Sequence, residues 1–322
     1  MKRRRFLAAS LGTVFVAPSS SADHAPLHSG AALAFGTTVS VSVRHADAQL
    51  ARLAITDALA AARMVERLMS IYDPASELAR LNRDGVLARP DPHLLAVLRH
   101  ARALSQVTGG AFDITVQPLW QASRRAADQA MLLSPRERAD ARALLGWNLV
   151  DAAPERVVLR KPGMRITLNG LAQGYAADLA LRALQARGIR HALLDTGEFA
   201  ASGNAGERPW QLGVPDPRAP HRMAAALRID GRCVATSGDY EATFSNDHLH
   251  HHIFDPASGE SPLELASVTV LAPSGIEADG LSTAFMVLGS RASHALAARL
   301  PGVDLLTIDK RGALRRSPGF PG

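Results

Sequence analysis

The chain has 322 residues, 47% hydrophobic and 20% charged, a balance that suits one large folded domain or two small ones and excludes wholesale disorder and fibrous repeats. Lys and Arg number 36 against 30 Asp and Glu, a net charge of +6. Four of those basic residues are Lys2, Arg3, Arg4 and Arg5, so the rest of the chain is too nearly neutral to argue for a nucleic-acid partner. Cys233 is the single cysteine, which excludes an intramolecular disulfide, a multi-cysteine zinc site and a cysteine-ligated cluster; beside Val234 and Ala235 it is expected as a buried thiol.

The N-terminus carries a basic run, a mildly apolar stretch over Phe6 to Val16 and then small residues to Ala25. Residues 1–25 are expected to be a targeting segment, too short to cross a bilayer, and Arg3-Arg4-Arg5-Phe6-Leu7 fits the twin-arginine pattern for export of folded proteins to the periplasm. No later apolar run reaches about 18 residues, so no stable membrane anchor is expected and 26–322 is read as one domain.

Along that domain, Phe35 to Val43 reads as a strand and Ala46 to Ser70 as a long amphipathic helix, with Leu50, Ala54, Ala58, Ala61, Val65 and Leu68 at three-and-four spacing. Helices follow over His93 to Val107 and Pro135 to Leu145. Val157 to Leu159 and Arg165 to Leu168 predict a strand pair around Lys161-Pro162-Gly163, and Ala172 to Arg187 a helix stopped by Gly188. Short strands are predicted at 192–194, 210–214, 224–229, 232–236, 267–271 and 305–308, with a helix over Ala278 to Leu288. Consecutive strands and hairpins point to an α+β fold with mixed or antiparallel sheets and flanking helices.

Three motifs fail on chemistry. Gly275 and Gly280 have P-loop spacing, but Leu281 stands where the phosphate-binding lysine would be. Asp195-Thr196-Gly197 has no second copy to form a carboxylate dyad. His248, His250 and His251 alternate in direction along an extended chain, so a solvated turn is expected rather than a zinc site.

Four segments keep two readings each. Asp279, Ser282 and Thr283 share one helix face, which suits either a hard cation such as Mg²⁺ or N-terminal capping. Leu168 to Tyr175 is a glycine-punctuated strand-to-helix turn that could face a phosphate or be an ordinary connection. Thr108-Gly-Gly-Ala-Phe-Asp113 offers close backbone approach and a ring to stack on, or simply ends a helix. His252, three residues before Asp255-Pro256, fits either a general base or a turn support.

Taken in order, these segments resemble the ApbE family of flavin transferases over about residues 35 to 290. The resemblance rests on Phe35-Gly-Thr-Thr, Met69-Ser-Ile-Tyr72-Asp-Pro with Glu77 and Leu81-Asn82, Thr108 to Asp113, Asn169 to Ala176, Asp195-Thr-Gly-Glu198, Ala235 to Glu241, His252 to Gly259 and Ala278 to Ala284. It implies a single T-fold-related α+β domain. The implied activity is Mg²⁺-dependent transfer of FMN from FAD to a Thr or Ser of a target protein, releasing AMP. The alternatives are an FAD-binding or trafficking protein without transfer, and an FAD pyrophosphatase.

By the same resemblance Asp279, Thr283, the Ala172 carbonyl and Ser282 would hold Mg²⁺, and His252 would be the base. Phe35, Tyr72, Ala111, Phe112, Asp113, Asn169, Tyr175 and Ile253 would contact flavin or adenine. Thr167, Gln173, Glu198 and Phe199 stand where the family usually has other residues. The export pattern resembles the NosX-like type, which implies as partner a periplasmic-facing flavin-acceptor domain of a membrane redox protein, NosR-like or a related electron-transport subunit.

Overall fold

The computed structural model describes residues 25–322, so the expected targeting segment lies, but for Ala25, outside the described residues. The chain opens with a hairpin, β1 (Leu27–Ala34) and β2 (Thr37–Arg44), then α1 (Ala48–Met69), α2 (Glu77–Asp84), β3 (Val86–Ala88), α3 (Pro92–Val107), α4 (Gln117–Asp128) and α5 (Pro135–Arg142). Next come β4 (Val150–Ala152), β5 (Arg156–Leu159), α6 (Asn169–Ala186), β6 (His191–Asp195), β7 (Phe199–Ser202), β8 (Gln211–Asp216), β9 (Ala219–Arg228) and β10 (Cys233–Gly238). β11 (Leu265–Ala272), α7 (Gly275–Ala297), β12 (Asp304–Asp309) and β13 (Leu314–Arg316) complete it.

The main sheet has eight strands in the order β1-β2-β6-β7-β10-β11-β12-β13, and every pairing among the described residues is antiparallel. The fold is α+β, as expected, with antiparallel sheets only. Helices α1, α6 and α7 cover one face; the β8–β9 hairpin covers part of the other through Leu212, Val214 and Leu227. Covered on both sides, β11 is buried at all eight positions. The helix face is built from small residues, Ala51, Ala54, Ala58 and Ala62 on α1 against Ala176, Ala177 and Ala180 on α6, which lets the helices approach closely.

Two expected elements differ. Residues 165–168 form no strand with β5; Asn82 of α2 takes the Ile166 N–H on Oδ1 at 2.7 Å and donates to the Ile166 carbonyl at 2.8 Å, and the Thr167 N–H bonds the Ile114 carbonyl at 2.8 Å. β5 pairs instead with β3 and β4. Phe35 is not in a strand but in the β1–β2 turn, at a left-handed φ of 55°, with its N–H held by Glu66 of α1 at 2.7 Å. Cys233 is buried, and burial pushes its thiol up to about 12. Among the described residues no helix is long and apolar enough to cross a membrane.

Candidate functional site

The site begins where α6 crosses α7. A Cβ on Gly174 would come 2.1 Å from the Gly275 carbonyl oxygen, and one on Gly275 would come 2.3 Å from the Gly174 oxygen, so only glycine fits at either position. The close approach permits reciprocal bonds. Asp178 of α6 accepts the Gly275 and Ile276 N–H groups at 2.6 and 3.0 Å, capping α7 where its own Ser274 makes no side-chain bond. Asp279 of α7 accepts the Gly174 N–H at 3.0 Å.

Asp279 is buried at 4% exposure, and that N–H is the one hydrogen bond of its carboxylate among the described residues. Burial pushes its carboxyl up to about 7 against the pull of the Gly174 N–H, and the Glu241 and Asp178 charges add to the rise. Glu198, on the turn before β7, is buried and held well above the carboxylate range, first by burial and then by Asp279 and Glu241, while the Thr236 N–H bonds its Oε2 at 3.1 Å. Desolvation brings Glu241 to about 7, although its side chain keeps contact with solvent. None of the three forms an ion pair among the described residues.

Hydroxyls close the same space. Ser237 Oγ lies 2.7 Å from Ser282 Oγ and 3.2 Å from Thr283 Oγ1. Ser282 donates back to the Asp279 carbonyl at 2.8 Å, so its hydroxyl is engaged within its own helix. A Cβ on Gly170 would come 2.9 Å from Thr283 Oγ1 and 3.5 Å from the Phe112 ring, which places both against the start of α6, two residues before Ala172. Carboxylate, hydroxyl and main-chain carbonyl are hard oxygen donors that suit a hard divalent cation, and the sparsely bonded buried Asp279 carboxylate fits such an ion. No group of three or more His, Cys, Asp or Glu side chains among the described residues is arranged to hold a metal.

His252 leads out of a loop whose chain pairs back on itself, with its own N–H on the Ala242 carbonyl at 2.9 Å. Burial lowers the imidazole to about 4, so the ring is neutral at ordinary pH; its Nδ1 is buried with no partner. His251 is fully buried, not solvated as expected, because its Nε2 bonds the Pro262 carbonyl at 3.2 Å and its N–H bonds Ser261. Ile253, next along, is buried in the main core.

The other expected contacts divide. Phe35 and Tyr72 flank the C-terminal end of α1, Tyr72 being 68% exposed and free to meet a ring. Asn169 is exposed at the first position of α6, and Ala111 is half-buried beside Phe112. Asp113 is spent on structure: Oδ1 takes the Thr115 N–H and hydroxyl at 2.7 and 2.6 Å, and Oδ2 the Trp147 N–H at 3.2 Å. Tyr175 is buried with its hydroxyl 2.7 Å from His93 Nδ1 on α3. A separate recess of about 280 Å³ between residues 255–264 and Met286–Gly289 is lined by none of these residues.

Asp178, Ser237 and Glu241 take no site role from the sequence, and Glu198 stands only as a departure from the family; Ser237 and Glu241 lie in a segment that carries the resemblance, and Asp178 stands four residues after Gly174 on the same helix face.

This architecture recurs in solved ApbE structures. The ApbE protein of Thermotoga maritima superposes with a TM-score of 0.80 at 28% identity, over 91% of this chain and 97% of that one. The flavinyl transferase ApbE of Pseudomonas stutzeri, in its apo form, gives 0.81 at 27% identity, over 93% and 97%. The FAD:protein FMN transferase of Treponema pallidum is 33% identical over 277 residues, 79% of this chain and 76% of its own. The profile of the ApbE family matches residues 35–307. The chain belongs to the ApbE family.

Proposed function

We propose that the chain is an FAD:protein FMN transferase, which joins FMN to a Thr or Ser hydroxyl of a target protein through a phosphoester and releases AMP. The observation that carries this reading is the buried Asp279 carboxylate, which makes a single hydrogen bond at the α6–α7 crossing one helical turn before Thr283, in a chain whose relatives bear that name. Asp279, Thr283 and the Ala172 carbonyl would hold Mg²⁺, with Ser282 supporting them from within the helix. When bound, the ion neutralises charge on the pyrophosphate oxygens, which phosphoryl transfer needs more than a covalent nucleophile.

His252 supplies the base. Only a neutral imidazole can accept a proton, and burial keeps this one neutral with Nδ1 unpartnered. It takes the proton of the acceptor hydroxyl as that oxygen bonds the FMN phosphorus and the bond to AMP breaks. Phe35, Tyr72, Ala111, Phe112, Asn169 and Ile253 offer apolar and amide contacts to the flavin and adenine rings. The acceptor is a periplasmic-facing flavin domain of a membrane redox protein, NosR-like or related, reached by twin-arginine export.

Purified protein incubated with FAD, Mg²⁺ and such an acceptor should release AMP and leave a fluorescent acceptor band on a denaturing gel. Neither product would refute transfer. Free FMN without a labelled acceptor would make the chain a pyrophosphatase, and retained FAD without AMP a flavin-binding protein.

A further inference from the structure

The loop before His252 is held at its apex by one buried carboxylate. Asp239, just past the end of β10, is fully buried, and its N–H is fixed to the Ala266 carbonyl at 2.9 Å. Arg218, from the β8–β9 turn, grips both its oxygens at 2.7 Å each in a two-pronged pair. Lys310, just past β12, lies 3.4 Å from Oδ2 and also donates to the His248 carbonyl at 2.6 Å. His248 is at the loop apex with a left-handed φ of 59°. One carboxylate thus joins the hairpin turn, the end of β12 and the histidine loop.

His252 Nδ1 has no hydrogen-bond partner, and the main chain of Ala242, in the same loop, is the polar group that bears on the imidazole. Its direction must come from the loop. That loop closes on itself through Phe244 N–H to the His250 carbonyl at 2.7 Å, the Thr243–His251 bridge and His252 N–H to Ala242. Among the described residues the Lys310 bond is the side-chain link between the His248 apex and the body of the protein.

We propose that Lys310, bridging Asp239 and the His248 carbonyl with Arg218 as the second counter-ion, is a positioning residue that aims His252 at the acceptor hydroxyl. The proposal rests on His252 as the base. It involves no group of the α6–α7 crossing.

The test uses Lys310→Met, Lys310→Arg and His252→Ala in the full chain. Lys310→Met should lower kcat for flavinylation by roughly tenfold to a hundredfold, the scale of a small misplacement of a reacting group, with KM for FAD unchanged. It should also speed hydrogen exchange at the Phe244 and His252 amides, and Lys310→Arg should restore both. If Lys310→Met does not fold, Lys310→Gln, which keeps a donor but no charge, should show a smaller drop in kcat and the same pattern of exchange. Unchanged exchange and kcat in the neutral variants, or failure of Lys310→Arg to restore them, overturns the proposal while His252→Ala remains inactive. If His252→Ala transfers at the wild-type rate, the reading of His252 falls first and the lysine's role falls with it.

Discussion

The two halves of the site are built by opposite means. At the α6–α7 crossing, backbone touches backbone at Gly174 and Gly275, and each helix bonds the other through a carboxylate, Asp178 one way and Asp279 the other. In the histidine loop the imidazoles of His251 and His252 each leave Nδ1 unpartnered, and order comes from main-chain bonds and a remote ion pair. The oxygen groups proposed for a charged ligand sit on rigid helices. The histidine proposed as base sits on a loop held by main-chain bonds, by the Ser245 and Asp247 side chains within it, and by Ser261, Pro262 and Lys310 outside it. The two halves also answer pH with opposite sign. A carboxyl raised in the fold destabilises the ion-free protein as pH rises from about 3.8 toward about 7, because the unfolded chain ionises first. A histidine lowered in the fold destabilises it as pH falls.

The largest expected effect breaks the helix half. Asp279→Ala removes the carboxylate proposed to hold Mg²⁺, and the loss of several kcal/mol of charge stabilisation should cut AMP release by on the order of a thousandfold. Calorimetric titration with Mg²⁺ should show binding lost in step. Full turnover in this variant would place the ion elsewhere.

The next effect tests the loop half. His251 is fully buried and lowered to about 4, chiefly by burial, whereas in the unfolded chain it titrates near 6.5. Between those values the unfolded state binds the proton and the folded state does not, so stability is lost as pH falls from about 6.5 to about 4. At 1.36 kcal/mol per pKa unit this amounts to about 3 kcal/mol. Urea unfolding across that range should show the loss, and His251→Gln, which keeps a donor for the Pro262 carbonyl, should lack that share of it.

Gly174→Ala sharpens the comparison. The added methyl would lie 2.1 Å from the Gly275 oxygen and 2.7 Å from Asp279 Cβ, so the helices must part and the Gly174–Asp279 bond stretch. Overpacking of this kind costs ~2 kcal/mol, and thermal unfolding should report it. The same change in an exposed stretch of α6 would be neutral or stabilising.

Part of the helix half was legible in the sequence because its spacing is local: Asp279, Ser282 and Thr283 stand at helical spacings that put them on one face, whereas Ala172 entered only through the family resemblance. Even so, Gly275 and Gly280 show a nucleotide-loop spacing, and the structure gives them packing work against Gly174 and Leu104 instead. The loop half was not legible, because Arg218, Asp239 and Lys310 are brought together from three distant segments. Burial of His251 likewise depends on Ser261 and Pro262, which no periodicity links to it. Helix α4 escaped because its buried stripe, Leu119, Ala122 and Ala126, is mostly alanine. Residues 165–168 misled because the Asn82 side chain satisfies the Ile166 N–H and carbonyl that a paired strand would otherwise bond.

The smallest effect concerns Tyr175, where family resemblance and geometry part. Resemblance assigns it to the flavin; the structure buries its ring and sets its hydroxyl 2.7 Å from His93 Nδ1, tying α6 to α3. Tyr175→Phe keeps the ring and deletes only that bond, a loss of about 1 kcal/mol for a part-buried hydrogen bond. If the hydroxyl serves packing, unfolding should shift by that amount while FAD affinity, read from quenching of flavin fluorescence, stays at the wild-type value. If it serves the flavin, affinity should fall at least as far as stability. The ratio of the two shifts therefore decides whether the rigid half ends at the α6–α7 crossing or continues through α6 into the ring-binding surface.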